Sequence, residues 1–473
     1  MQSLKPVVVD LDGTLIKTDT LFESLMALLK QNPFWCLFLP FWLLKGKAYL
    51  KNQMADKVSL DVELLPYNQN VIEYIKAAKA QGHECYLATG TVQKFAEPIA
   101  RHLGFFAGVF STNETTNLTG KNKDALLVKT FGEGNYIYLG NHRVDLPIWK
   151  NASEAVVVSS NVSLVNQAKK VCKTVFHIEE KGSSLKKVLK AMRVHQWVKN
   201  ALIFVPLLTS HQVISVDLIL LCALGFLSYS LAASSVYILN DLVDLQSDRQ
   251  HATKSKRPFA SGDLSIFFGL MLFPALLIFA FVLASFLPQD FLIALAVYYV
   301  ITVMYSFKLK RIIMLDTITL AALYTMRIIA GTLLIQVAFS FWLLAFSMFI
   351  FLSLAFVKRY TELVSIIAEG AKTMAGRGYH SEDDSMISSF GAASGYIAVL
   401  VFALYVNSPE ITELYTTPHI LWLACPILLY WISRVWILAH RGEMHDDPIV
   451  FAVKDLQSIV TGVLVLIIFM AAT

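Results

Sequence analysis

Hydrophobic positions along this chain follow two different periods. From Lys5 to about Ser184, short β-branched or aromatic runs recur: Val7-Val8-Val9, Tyr86-Leu87-Ala88, Gly108-Val109-Phe110, Tyr136 to Leu139 and Ala155 to Val158. Amphipathic stretches such as Val71 to Ala80 separate several of them. This alternation predicts a parallel sheet with helices on both faces. Beyond about Ala201 the apolar runs become long enough to cross a hydrocarbon core, which takes about 20 residues. They predict nine spans near 201–209, 217–239, 264–286, 290–306, 313–335, 340–357, 388–407, 418–438 and 449–471, the first short and continuing an amphipathic lead-in over 181–200.

One segment fits neither period. Residues 34–44, FWCLFLPFWLL, are strongly apolar but too short to span. Pro40 argues against a buried core helix, and the two Trp residues suit an element lying in the membrane interface. A buried helix of the soluble part is the alternative.

Composition narrows the class. With 473 residues, 56% of them apolar, the chain is neither a wholly soluble nor a disordered protein. A net charge of +5 is too mild to argue for nucleic acid. The five cysteines are scattered without a CxxC pair, so no zinc site or disulfide framework is expected. The first residues lack the layout of a signal peptide, which leaves the N-terminal part in the cytosol.

The loops orient the spans. One set carries Lys254, Lys256 and Arg257; Lys308, Lys310 and Arg311; Lys358, Arg359, Lys372 and Arg377; then Arg434 and Arg441. The opposite loops, near 210–216, 287–289, 336–339 and 408–417, hold no Lys or Arg. The positive-inside rule puts the basic set in the cytoplasm and, with nine spans, the C-terminus outside. The expectation is a multi-pass protein of a bacterial-type inner (cytoplasmic) membrane.

Candidate chemistry starts where the first apolar strand ends. Val7-Val8-Val9-Asp10-Leu11-Asp12-Gly13-Thr14 runs from strand into loop, with Asp10 and Asp12 two apart on one sheet edge. One carboxylate can attack phosphorus and the other can protonate the leaving oxygen. DxDGT after an apolar strand resembles the haloacid dehalogenase (HAD) phosphohydrolases. The resemblance covers about residues 1–180, with 18–68 as a helical cap that contains the apolar segment. It implies a Rossmann-like α/β domain, Thr89 as the strand-end hydroxyl, Lys123 as the phosphate-binding lysine (Lys121 less so), and Mg²⁺ held by Asp10, Asp12, Asn141 and Asp145. Asn141 stands where the family has an Asp and should weaken metal binding. A degenerate domain kept for folding or docking is the alternative to an active phosphatase.

A second constellation ends the second span. Asp241, Asp244 and Asp248, at i, i+3 and i+7, lie on one helical face. Such a cluster repels itself unless a cation neutralises it, and hard oxygen ligands favour Mg²⁺ shared with substrate phosphates. His251, Lys254, Lys256 and Arg257 follow at once, so acid for metal precedes base for phosphate. NDxxDxxxD in a polytopic all-α membrane domain resembles the UbiA prenyltransferase superfamily. Residues from about 185 to the end are most similar to its decaprenyl-phosphate phosphoribosyltransferase branch. The stretches that carry this are Arg193–Asn200, the Asp motif with Lys256-Arg257-Pro258, Asp316 through Arg327 to Gly331, and Lys358-Arg359-Tyr360-Thr361-Glu362-Leu363. The superfamily's second Asp motif is reduced, because Leu320 stands where the partner of Asp316 would be.

This resemblance implies phosphoribosyl diphosphate (PRPP) as donor and a polyprenyl phosphate of the lipid bilayer as acceptor. Asp241, Asp244 and Asp248 would hold Mg²⁺ and diphosphate, supported by Asn240. Lys254, Arg257 and Lys310 would bind PRPP phosphates, with Tyr305 and Asp316 beside them. Arg327, Lys358 and Arg359 are candidates for ribose 5-phosphate or lipid phosphate. The N-terminal domain would then remove the product's 5-phosphate. The alternatives are a prenyltransferase with a polyprenyl diphosphate donor and an aromatic or other small acceptor, and a non-catalytic scaffold or transporter. Self-association is left open.

Overall fold

The structure is a computed structural model. It describes residues 4–113, 116–180, 182, 184–210, 215–251, 253–368, 370, 377–409, 411–444 and 447–473, with no side chains for 412 and 413. Lys372 and residues 211–214 of the first uncharged loop lie outside the described residues. The chain folds into two compact units, 1–192 with 237–274, and 193–236 with 275–473. The Asp motif therefore belongs to the same compact unit as the N-terminal sheet, a division different from the boundaries near 180 and 200 expected from sequence.

In the first unit, β1 (Val7–Val9), β2 (Cys85–Val92), β3 (Gly108–Thr112), β4 (Ile137–Gly140), β5 (Glu154–Ser159) and β6 (Val175–Glu179) form one parallel sheet. The order is β3-β2-β1-β4-β5-β6. Alternation along β1 feeds two cores. Val7 and Val9 pack with Val71, Ile75 and Ile99 on one face, while Val8 packs with Leu127, Trp149 and Leu164 on the other. Because β1 is covered on both faces, its run is apolar throughout. The crossover between β1 and β2 carries the cap: Thr20–Gln31, Pro33–Leu37, Leu39–Leu44 and Lys47–Lys57. Its apolar segment is mostly exposed. Phe34, Phe41 and Leu44 are 73%, 65% and 85% accessible, and only Trp42 is buried. The buried-core alternative for 34–44 does not hold.

Seven helices among the described residues are long and apolar enough to cross a membrane: Val216–Val243, Ile266–Ala284, Gln289–Phe307, Leu315–Ile335, Phe341–Ala368, Ser381–Val406 and Pro418–His440. The pair Pro448–Lys454 and Leu456–Ala472, bent by 81°, makes an eighth if it is counted as one broken span. The bend falls at Asp455, which caps the second piece through Ser458 and is clamped by Arg434 at 2.7 and 3.0 Å. The expected span at 201–209 is not such a helix, so the described residues carry seven or eight of the nine expected spans. Val194–Phe204 winds as a 3₁₀ helix, and Pro206, which lacks an N–H, opens a separate five-residue turn.

In the second unit Leu315–Ile335 is the most buried of these spans. It packs against Gln289–Phe307, Phe341–Ala368 and Val194–Phe204. Gly331 permits the last contact, since a Cβ there would lie 2.2 Å from the Ile203 carbonyl oxygen.

Candidate functional site

Asp10 and Asp12 leave the carboxyl end of β1, between its neighbours β2 and β4, where doubly wound sheets place ligands. Gly13 makes the turn with φ of 73°, and a Cβ there would sit 2.1 Å from the Asn141 amide nitrogen. Asn141 thus packs directly on the DxDGT loop. Lys123 Nζ lies 2.7 Å from Asp10 Oδ1 and 3.0 Å from the Tyr138 hydroxyl, which donates to Asp145 Oδ1 at 3.2 Å. Asp145 also accepts the backbone N–H groups of Asn141 and His142, which shapes the loop after β4. Sequence reasoning named Asp10, Lys123, Asn141 and Asp145, and the fold brings them together. It missed Tyr138, which links two of them.

The Asp12 carboxylate is held by the Thr20 N–H at 2.8 Å and the Thr91 hydroxyl at 2.7 Å. Burial, then the nearby Asp19, push its pKa up to about 7. Both oxygens are engaged, and the group is poised to give and take a proton near neutrality. Thr89 is buried, its Oγ1 accepting the Thr91 N–H, so Thr91 rather than Thr89 touches a reactive carboxylate. Lys51 enters from the cap helix Lys47–Lys57, donating to the Gly90 carbonyl at 2.6 Å, and burial lowers its pKa.

These groups open on a cavity of about 710 Å³. Its polar floor is Asp10, Asp12, Lys51 and Lys123, and part of its wall is Phe22, Leu43, Ile266 and Phe267. Phe22 and Phe267 are in ring contact at 5.5 Å. Leu43 belongs to the exposed apolar segment, and Ile266 opens the apolar helix Ile266–Ala284.

The donor set suits a divalent cation. Burial, then Asp10, raise the Asp145 pKa to about 6, a repulsion that a cation relieves. The Thr18 hydroxyl, which lines the cavity, has no hydrogen-bond partner among the described residues. No three His, Cys, Asp or Glu side chains among the described residues converge as a metal site by themselves. An ion would therefore complete its shell with Asn141, backbone, water or substrate oxygens.

The Asp motif lies at the end of Val216–Val243 and in the short helix Leu245–Gln250. Arg257 Nη1 donates to Asp241 at 3.1 Å and to Asp248 at 2.6 Å. Lys30 reaches Asp244 at 3.4 Å. Each carboxylate thus already faces a cation of the same unit, as a cluster of like charge requires. The three carboxylates do not converge as a metal site by themselves among the described residues, so an ion there would need substrate or water oxygens as well. Lys254 begins the turn that ends at Arg257.

The second unit carries three charge networks. Asp316, fully buried, accepts the fully buried Arg359 guanidinium, Arg377 Nη1 at 3.0 Å and the Tyr305 hydroxyl at 2.7 Å. Arg359 also pairs with Glu362 at 2.5 Å. Arg327 donates to Asn200 Oδ1 at 2.8 Å and Tyr298 at 3.2 Å, among the rings of Tyr229, Tyr298 and Tyr324. Lys199 and Lys358 share Asp447 Oδ2 at 2.7 and 3.0 Å. Burial alone would raise the Asp447 pKa, but Lys358 and Lys199 hold it well below the carboxylate range. Asp447, Glu362 and Arg377 as partners were not foreseen. Lys310 lies in the turn Leu309–Arg311.

A profile of the UbiA prenyltransferase family matches residues 201–459, more than half of the chain. The chain belongs to that family. A haloacid dehalogenase-like hydrolase profile matches residues 7–150. The protein y4nM of Sinorhizobium fredii is 38% identical over 99% of this chain and 91% of its own length. The decaprenyl-phosphate phosphoribosyltransferase of Mycolicibacterium smegmatis is 34% identical over 57% of this chain and 86% of its own. Among solved structures, a UbiA homolog from Archaeoglobus fulgidus bound to GPP and Mg²⁺ aligns over 60% of this chain and 98% of its own at 16% identity, with a TM-score of 0.47. This chain is thus a UbiA-type membrane enzyme with an N-terminal HAD hydrolase domain.

Proposed function

We propose that the chain is a polyprenyl-phosphate phosphoribosyltransferase that moves 5-phosphoribose from PRPP to a membrane polyprenyl phosphate, releasing diphosphate. The observation that carries this over a prenyl-diphosphate donor is the state of Asp316. Asp316 and Glu362 together match Arg359 and Arg377, so Asp316 is committed to a neutral ion-pair network, which speaks against a second metal motif. The similarity to named phosphoribosyltransferases supports the same reading.

In this reading Asp241, Asp244 and Asp248 hold the donor's diphosphate through Mg²⁺, with Asn240 beside them. Lys254, Arg257 and Lys310 bind its phosphates. Bound there, Mg²⁺ supplies charge neutralisation of the leaving diphosphate. Tyr305 and Asp316 fix the Arg359 fork. Arg327 and Lys358 are the candidates for the ribose 5-phosphate or the lipid phosphate. Arg359, expected to share that role, is fully buried on Asp316, Glu362 and Tyr305 and would act by holding that network. The lipid phosphate oxygen attacks ribose C1 as the C1–O bond to diphosphate breaks. A phosphate monoester is already nucleophilic at pH 7, so positioning and electrostatics dominate.

The HAD domain then hydrolyses the 5-phosphate of the product. An Asp10 carboxylate oxygen attacks phosphorus while Asp12 gives its proton to the departing ribose oxygen. Asp12 next takes a proton from the water that cleaves the aspartyl phosphate, and inorganic phosphate leaves. Lys123 neutralises the phosphoryl oxygens. The apolar cavity wall suits a lipid-linked substrate. With the basic loops read as cytoplasmic by the positive-inside rule, both reactions would lie on one membrane face.

Mass spectrometry of lipid products tests this. Purified protein with Mg²⁺ receives PRPP and polyprenyl phosphate, or polyprenyl diphosphate and an aromatic acid. Polyprenyl phosphoribose is expected, and its 5-dephospho form shows an active HAD domain. Product from the diphosphate donor alone overturns the phosphoribosyl reading.

A further inference from the structure

The helix Thr20–Gln31 belongs to the hydrolase domain, yet its charged face meets the Asp motif of the transferase within the first unit. Its first turn serves the phosphatase, since the Thr20 N–H donates to Asp12. Glu23 and Lys30 lie seven residues further apart along it, two turns on one face. Glu23 takes the Arg249 guanidinium in a two-pronged pair, Nη1–Oε2 3.1 Å and Nη2–Oε1 2.5 Å. Both side chains are almost fully buried. Arg249 Nε goes to the Ala260 carbonyl at 2.9 Å. Arg249 directly follows Asp248, so this pair fixes the motif's last carboxylate relative to the helix. A buried, bidentate pair of this kind sets register more than it adds stability.

Lys30 is held differently. It is about one-third exposed and sits 3.4 Å from both Asp244 Oδ1 and Ser247 Oγ. Such a loose, solvated pair costs little to open. Its ammonium is thereby stationed at the carboxylate to which a cation and diphosphate would bind.

We propose that Lys30 is a ligand of the diphosphate in the transferase site, supplied by the hydrolase domain, and that Glu23 with Arg249 is the positioning pair that stations it there. This rests on reading the Asp241–Asp248 face as the diphosphate site. When the anion arrives, Lys30 passes from Asp244 to a phosphate oxygen, and no bond is made or broken. The transferase site is incomplete without the hydrolase domain's helix.

The test is calorimetric binding of Mg²⁺ with inorganic diphosphate to the full chain in detergent. Wild type should bind and Asp244→Asn should not. Lys30→Met should weaken binding roughly five- to tenfold, about the loss of one charge-assisted contact. Lys30→Arg should recover most of it, and Lys76→Met, an exposed lysine elsewhere on the domain, should match wild type. Glu23→Gln should weaken binding comparably, and the double variant no more than either alone, because both act through one contact. Wild-type affinity in Lys30→Met overturns the proposal. Additive losses in the double variant overturn the positioning role of Glu23. Absence of binding in wild type, or full binding in Asp244→Asn, instead refutes the underlying diphosphate site.

Discussion

Replacing Asp316 by Asn separates two roles that the same carboxylate could play. If Asp316 belonged to a self-repelling metal motif, removing its charge would relieve repulsion and stabilise the metal-free protein. The structure predicts the reverse. Asp316 is fully buried and its two oxygens accept Arg359, Arg377 and Tyr305. Removing one partner of a buried pair typically costs about 3–5 kcal/mol. Here Arg359 keeps Glu362 at 2.5 Å, and Arg377 keeps Glu362 at 3.4 Å, so the lower end, about 3 kcal/mol, applies. Arg359→Met should cost a similar amount, since Asp316 retains Arg377. For a cooperative unit of about 150–250 residues, such as the second unit, about 1 kcal/mol shifts Tm by about 2–4 °C, so each variant should melt about 6–12 °C below wild type. The assay is thermal unfolding in detergent with EDTA, followed by size-exclusion of the soluble fraction. The double variant should lose less than the two single losses combined. An Asp316→Asn protein that melts at or above the wild-type temperature would refute the ion-pair reading and restore a second metal motif.

Further predictions concern other groups. Asp10→Asn should abolish phosphate release from the lipid product while polyprenyl phosphoribose still accumulates in the mass spectrum. Gly13→Ala should reduce phosphate release at least tenfold with transfer intact, because a Cβ meets the Asn141 amide at 2.1 Å on a backbone of φ 73°. Acid should destabilise the second unit through Asp447. Its folded pKa lies below the unfolded value, so its contribution is full above about pH 4 and is lost as pH falls through the folded pKa. Asp447→Asn should therefore lower Tm at pH 7 and flatten the acid limb of the Tm–pH curve.

The elements with strong periodicity were legible in the sequence. β1 reads as three apolar residues because both of its faces are covered. Edge strand β6 went unread because Phe176, His177 and Glu179 are exposed and its pattern carries little core signal. The nine expected spans and the seven or eight spanning-length helices of the described residues differ where apolar sequence is interrupted: Pro206 restarts the helix in one place, and Asp455 with Arg434 bends it in the other. Candidate residues inside motifs could be singled out from sequence. Those that arrive from elsewhere in the chain could not. Lys51 meets Gly90 across 39 positions, and Glu23 meets Arg249 across 226. Asp316 and Arg359 were each singled out, but their pairing across 43 positions changes what Asp316 can do.

Two features of the first unit bear on why a hydrolase domain is fused to a membrane transferase. An exposed run holding Phe34, Phe41 and Leu44 is unfavourable in water and suits the interfacial zone of a bilayer. The same run contributes Leu43 to the lining of the cavity that Asp10 and Asp12 also line. Ile266 and Phe267, at the start of an apolar spanning-length helix, complete that wall. A small hydrophilic phosphate ester gains nothing from such surfaces, whereas a lipid-linked one buries apolar area against them at about 25 cal/mol per Å². On the proposed function, tethering would replace a search through the cytosol by a search along one membrane face and so raise the effective concentration of the product at the second site. The helix Thr20–Gln31 ties these arrangements together: its first turn holds Asp12 of the hydrolase and its last turn reaches Asp244 of the transferase motif. If the proposed role of Lys30 holds, one helix would serve both sites, a physical reason for the two proposed activities to stay on one chain.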